Sequence, residues 1–154
     1  MRRHQFVLMI KNVQMNIVPI RIMLIDDHKI VRESWKTLLE NNPRFKVVAD
    51  CDNGNTVLDD VKEFTPDIIL VDINMSPING FTLTENILKT NPAIKIIGLS
   101  VNNQPKYAIK MLNIGAKGYL TKTSSLEEIT EGIIKVHDGE IYICEEISQH
   151  MPQS

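Results

Sequence analysis

Two nearly unbroken apolar runs, Ile68 to Ile73 and Ile94 to Leu99, constrain the fold of this chain more than any other feature. A strand that is apolar on both faces has to be covered on both, which is the position of an interior strand in a parallel sheet flanked by helices. The surrounding pattern agrees. Shorter β-type runs, Ile20 to Ile25, Phe45 to Ala49 and Gly118 to Leu120, alternate with stretches of helical period: Ile30 to Glu40, Thr56 to Phe64, Phe81 to Lys89, Lys106 to Ile114 and Leu126 to His137. Five strand–helix units in succession predict a doubly wound α/β fold with a five-stranded parallel sheet.

The punctuation fits these units. Ser124 and Ser125 stand three residues before Glu127 and Glu128, the spacing of a reciprocal capping box, and Gly139 follows the same helix where a left-handed cap belongs. Pro105 falls in a first helical turn, where its missing N–H costs nothing, and Gly115 closes that helix. With 154 residues, 43% of them hydrophobic, the chain has the size of one domain with its own core. Residues 1–19 fit no element and are expected to form a poorly tied extension; Met15 is a natural alternative start, which would make 1–14 an artefact. Residues 140–154 read as a tail or the opening of a linker.

Charge and cysteine content exclude several classes of function. A net charge of -2 gives no basic footprint for a phosphate backbone, so direct nucleic-acid binding by this chain is not expected. Cys51 and Cys144 are too few for a disulfide framework and lack metal-ligand spacing. The apolar run Phe6 to Ile10 behind two arginines is cut short by Lys11, too early for a signal peptide. No stretch approaches the roughly 20 apolar residues of a membrane-spanning helix, and a cytoplasmic location is expected.

What ends the strands is more informative than the strands themselves. The first runs into Asp26 and Asp27, the third into Asp72, the fourth into Ser100 and the fifth into Lys122. In an open α/β sheet the carboxyl ends of the strands form the ligand crevice. Taken singly each residue has an ordinary reading: an aspartate as helix N-cap, a loop hydroxyl, a solvated amine. Together they bring three acids, one hydroxyl and one amine to one edge. Three adjacent carboxylates repel unless a cation relieves them. Mg²⁺, which prefers hard oxygen ligands and commonly binds one or two carboxylates plus a phosphate oxygen, suits the set. A carboxylate so placed can act as a nucleophile toward phosphorus, with the metal and an ammonium neutralising the transferring group.

These residues resemble the receiver domains of bacterial two-component response regulators, from Ile20 to about Gly139. The stretch Asp72 to Gly80, with Met75 three and Gly80 eight positions after the acid, is similar to the family's phosphoacceptor loop, and Gly115 to Lys122 is similar to the stretch that carries a switch aromatic, here Tyr119. The resemblance implies a flavodoxin-like (βα)5 fold over 20–139 with strand order 2-1-3-4-5. It implies that Asp72 accepts a phosphoryl group from a sensor histidine kinase and that Asp26, Asp27 and Asp72 hold Mg²⁺ with the Asn74 main-chain carbonyl. It further implies that Lys122 contacts the phosphoryl group and that Ser100 moves to donate to it. Tyr119 would then turn inward into the vacated space, and Asn74 and Asn102 would tune dephosphorylation. Such a chain is a signalling module rather than a turnover enzyme, with a homodimer possible through the last helix or through the fourth and fifth elements together.

The chain also departs from the family pattern. Ser76 stands where a proline is usual, with Pro77 one place later, which changes the loop path. Thr123 follows the lysine in place of the frequent proline, which together with Asp27 to Glu33 resembles the NarL/LuxR subclass, whose receivers usually precede a DNA-binding domain. The tail favours a fragment of such a regulator over a stand-alone receiver or a non-phosphorylated interaction module. An aspartate-nucleophile phosphatase would need Asp-x-Asp after its first strand, where this chain has adjacent Asp26 and Asp27. A flavin module would find two carboxylates where it needs a phosphate cradle. His28, beside the acid pair, lacks the soft partners of a zinc site and reads as a solvated first-turn histidine; Trp35 reads as core.

Overall fold

The computed structural model describes residues 18–52 and 54–152. All but the last two residues of the expected N-terminal extension therefore lie outside the described residues. The elements run β1 (Ile20–Ile25), α1 (Lys29–Glu40), β2 (Phe45–Cys51), α2 (Val57–Phe64), β3 (Ile68–Asp72), α3 (Gly80–Thr90), β4 (Lys95–Ser100), α4 (Pro105–Ile114), β5 (Gly118–Thr121), α5 (Leu126–His137), β6 (Tyr142–Ile143) and α6 (Glu145–Ser148). Every strand pair is parallel. The sheet order is β2-β1-β3-β4-β5-β6, the expected 2-1-3-4-5 with a sixth strand added at the β5 edge.

All five residues of β3 are buried, and so are the last five of β4, which is why these runs carry apolar side chains on both faces. Helices α1, α2, α3 and α5 press Trp35, Leu39, Val61, Leu83, Ile87, Ile129, Ile133 and Val136 into the core from outside. Trp35 is core as expected, whereas Leu38 of the same stripe is exposed.

The caps follow local chemistry. The Ser125 hydroxyl accepts from the Glu128 amide at 3.1 Å, half of the expected capping box. The other half is missing because the Glu128 carboxylate is engaged elsewhere, accepting from the Tyr142 hydroxyl at 2.9 Å and the Glu145 amide at 2.8 Å. That carboxylate ties α5 to the segment after it. Backbone bonds from Tyr142 N to Lys117 O and from Cys144 N to Tyr119 O, both 3.0 Å, lay the segment along β5, and Cys144 and Ile147 are fully buried. Within the expected tail, 140–154, Tyr142–Ile143 thus extend the sheet and Cys144 and Ile147 pack into the core.

Candidate functional site

The strand register alone assembles the site. Ile25 pairs with Val71, so Asp26 and Asp72 leave β1 and β3 side by side; Asp72 pairs with Leu99, so Ser100 ends β4 one residue further on. Ser100 pairs with Thr121, and the Lys122 amide donates to the Ser100 carbonyl at 2.8 Å, which turns the lysine in beside the acids. The order reverses between β1 and β3, the switch point at which doubly wound sheets bind their ligands.

Lys122 holds the centre. Its ammonium donates to Asp26 Oδ2 at 2.7 Å and lies 3.1 Å from Asp72 Oδ2. Burial pulls this group toward neutrality, but the Asp26 hydrogen bond and the charges of Asp72 and Asp26 outweigh it, and its pKa sits above the ordinary lysine value. Asp72 is 1% exposed; the Asn74 amide fixes its Oδ1 at 3.0 Å, while Oδ2 accepts no well-directed hydrogen bond and faces the ammonium alone. Asp27 Oδ1 is likewise buried without a well-directed hydrogen bond, with His28 Nδ1 as its neighbour at 3.0 Å. The loop behind the acid needs its glycine: a Cβ on Gly80 would stand 2.5 Å from Ile73 Cα and 2.6 Å from the Asp72 carbonyl oxygen.

Ser100 and its neighbours form a second, neutral cluster. The Ser100 hydroxyl donates to Asn74 Oδ1 at 3.2 Å and accepts from the Asn102 amide at 2.9 Å, so the two asparagines meet at this one oxygen. The Tyr119 ring is fully buried, and its hydroxyl makes no well-formed hydrogen bond. Burial pushes this phenol up to about 12, with the nearby Ser100 hydroxyl pulling the other way. The expected inward turn would start from a ring that already lies inside. Gly98 makes the room, since a Cβ there would come within 2.9 Å of the Tyr119 ring.

Arg32 completes the acidic crevice and was not anticipated from the sequence. Its guanidinium donates to the Asp26 carbonyl at 2.8 Å and to Asp50 Oδ1 at 3.0 Å, bracing the end of β1 against the end of β2. Its place in the second turn of the helix that follows the acids, on the side facing the sheet, was the available signal. Asp26, Asp27, His28 and Asp72 each offer one donor atom, all within 4.8 Å of one another. Such a group, with two buried oxygens short of hydrogen bonds, suits a hard divalent cation. Among the described residues no helix is long and apolar enough to cross a membrane.

Comparison with known proteins agrees with this geometry. Residues 22–134 match the family described as the response regulator receiver domain. The chain is 35% identical over 140 residues to the transcriptional regulatory protein DegU of Brevibacillus brevis, covering 91% of this chain and 59% of that protein. It is 32% identical over 135 residues to the response regulator UvrY of Escherichia coli strain K12, covering 88% and 62%. The chain thus spans about three fifths of the length of these relatives. Among solved structures, a LuxR-family two-component response regulator from Aurantimonas sp. SI85-9A1 superposes with a TM-score of 0.82 at 32% identity, over 86% of this chain and 94% of that one. The receiver domain of the putative response regulator NarL from Mycobacterium tuberculosis gives 0.74 at 25% identity, over 79% and 98%.

Proposed function

The chain belongs to the response regulator receiver domain family, and from that premise we propose that Asp72 is its phosphoacceptor, taking a phosphoryl group from the phosphohistidine of a sensor kinase. The observation that carries the reading is the Lys122 ammonium held between Asp26 and Asp72 at the carboxyl edge of the sheet. A carboxylate oxygen of Asp72 forms the new bond to phosphorus as the phosphorus–nitrogen bond breaks, and the imidazole leaves with the electron pair. The Asn74 amide keeps the carboxylate aimed, and Lys122 moves its hydrogen bond from Asp26 to a phosphoryl oxygen as charge accumulates there. Asp26, Asp27, Asp72 and the Asn74 main-chain carbonyl would hold Mg²⁺, which supplies charge neutralisation on the transferring group.

The Ser100 hydroxyl then exchanges Asn74 for a phosphoryl oxygen. Asn74 and Asn102, both tied to Ser100, set how readily water reaches the acyl phosphate. The module carries signal and does not turn over substrate. Its output is control of transcription through a DNA-binding domain, and a homodimer through α5 or the α4–β5–α5 face is the form in which it acts. The name of the Brevibacillus relative supports that output.

Incubation with acetyl phosphate and Mg²⁺ tests the assignment by intact mass. The parent is expected to gain one phosphoryl mass and the Asp72→Asn variant none. A folded parent that gains nothing would make this a receiver that works only by binding other proteins.

A further inference from the structure

We propose that His28 is a protein ligand of the same divalent-cation site, through Nδ1, and that it gives the site a preference for a first-row transition ion over Mg²⁺ that carboxylates alone do not confer. The inference rests on reading the acidic crevice as a cation site.

His28 occupies the N-cap position of α1, yet its side chain makes no capping hydrogen bond. Nor does it pack: the side chain is 67% exposed. The ring nitrogen instead pairs with the acids, Nδ1 hydrogen-bonding Asp26 Oδ1 at 3.2 Å and lying 3.0 Å from Asp27 Oδ1, contacts that a bound cation would replace. The His28 amide donates to the same Asp26 oxygen at 2.8 Å, so main chain and ring nitrogen converge on one carboxylate. The four donor atoms of Asp26, Asp27, His28 and Asp72 fall within 4.8 Å of one another. An ion bonded at roughly 2.1 Å sets adjacent ligands about 3.0 Å apart and opposite ones about 4.2 Å, so the His28 nitrogen stands at the spacing of an adjacent ligand, while the widest pair of the group would close by about 0.6 Å on binding.

Asp72 is 1% exposed, and its Oδ2, 3.1 Å from the Lys122 ammonium, makes no well-directed hydrogen bond, so the cluster is more than a patch of surface acids. Carboxylate, carbonyl and water oxygens suit Mg²⁺ and Mn²⁺ alike, whereas an imidazole nitrogen adds affinity along the series from Mn²⁺ to Zn²⁺ and little for Mg²⁺. Ligation through Nδ1 puts the ring proton on Nε2, on a side chain open to solvent.

The test uses the full chain with Mn²⁺ and Mg²⁺ as probes, comparing the parent with His28→Ala and Asp27→Asn. Pulsed EPR of bound Mn²⁺ is expected to show coupling to a directly ligated ¹⁴N in the parent and none in His28→Ala. Calorimetry is expected to show Mn²⁺ affinity falling about tenfold or more in His28→Ala while Mg²⁺ affinity changes less than about twofold. A parent without ¹⁴N coupling, or a His28→Ala variant that weakens both ions equally or neither, overturns the proposal and leaves the acidic site standing. Asp27→Asn separates the two readings: it is expected to weaken both ions, and if neither ion binds the parent, or Asp27→Asn weakens neither, the reading of the crevice as a cation site fails as well.

Discussion

The two ends of the sheet handle charge in opposite ways. At the amino end, Arg21 donates through its guanidinium to the Phe64 and Thr65 carbonyls at 2.6 and 3.4 Å, where α2 ends, and Lys95 donates to the His137 carbonyl, where α5 ends. Asp67 accepts from the Arg21 amide at 2.9 Å. Each cation there meets a carbonyl that a helix terminus leaves over, a structural use of charge. At the carboxyl end two aspartates, Asp26 and Asp72, share one ammonium, and two buried oxygens lack directed hydrogen bonds. A fold that satisfies its polar groups at one end and leaves them short at the other carries its function at the second.

Substitutions at the two ends should therefore respond differently to Mg²⁺. The largest effect is expected from Lys122→Met, which leaves Asp26 and Asp72 buried without their cation: a loss of about 3 kcal/mol in urea unfolding, partly restored by millimolar Mg²⁺. Arg21→Ala should cost about 1.5 kcal/mol, with no restoration by Mg²⁺; a magnesium response here would break the comparison.

Smaller and opposite in sign is Tyr119→Phe. Removing a buried hydroxyl that makes no well-formed hydrogen bond among the described residues should stabilise the chain by about 1 kcal/mol. The folded-state pKa of this phenol, about 12, lies above its ordinary value of 10.0, so its contribution is complete below pH 10 and is lost as pH rises through 12. The advantage of the phenylalanine variant should widen over that alkaline interval, as read by unfolding curves at successive pH values. A destabilised Tyr119→Phe would show that the Ser100 hydroxyl serves Tyr119 as a hydrogen-bond partner in solution.

Much of this contrast is legible in the sequence, because strand ends are set by where unbroken apolar runs such as Ile68 to Val71 give way to polar residues and because parallel register carries those ends to one edge. Asp26, Asp72, Ser100 and Lys122 meet for that reason alone. The sixth strand is not legible: Tyr142–Ile143 is two residues long, too short to show a period, and it is a strand only because Lys117 and Tyr119 offer backbone partners. The same tertiary demand takes Glu128 out of its capping box. Arg32 escaped for a related reason, since a helical arginine acquires meaning only once the turn folds it onto the end of β1.

The central claim is that Asp72, and not its acidic neighbours, carries the phosphoryl group. Borohydride reduction of the acetyl-phosphate-treated chain converts an aspartyl phosphate to homoserine, and peptide mass spectrometry then locates it. The account predicts homoserine at position 72 alone; homoserine at position 26 or 27, or at none of the three in a chain that has gained phosphoryl mass, would contradict it.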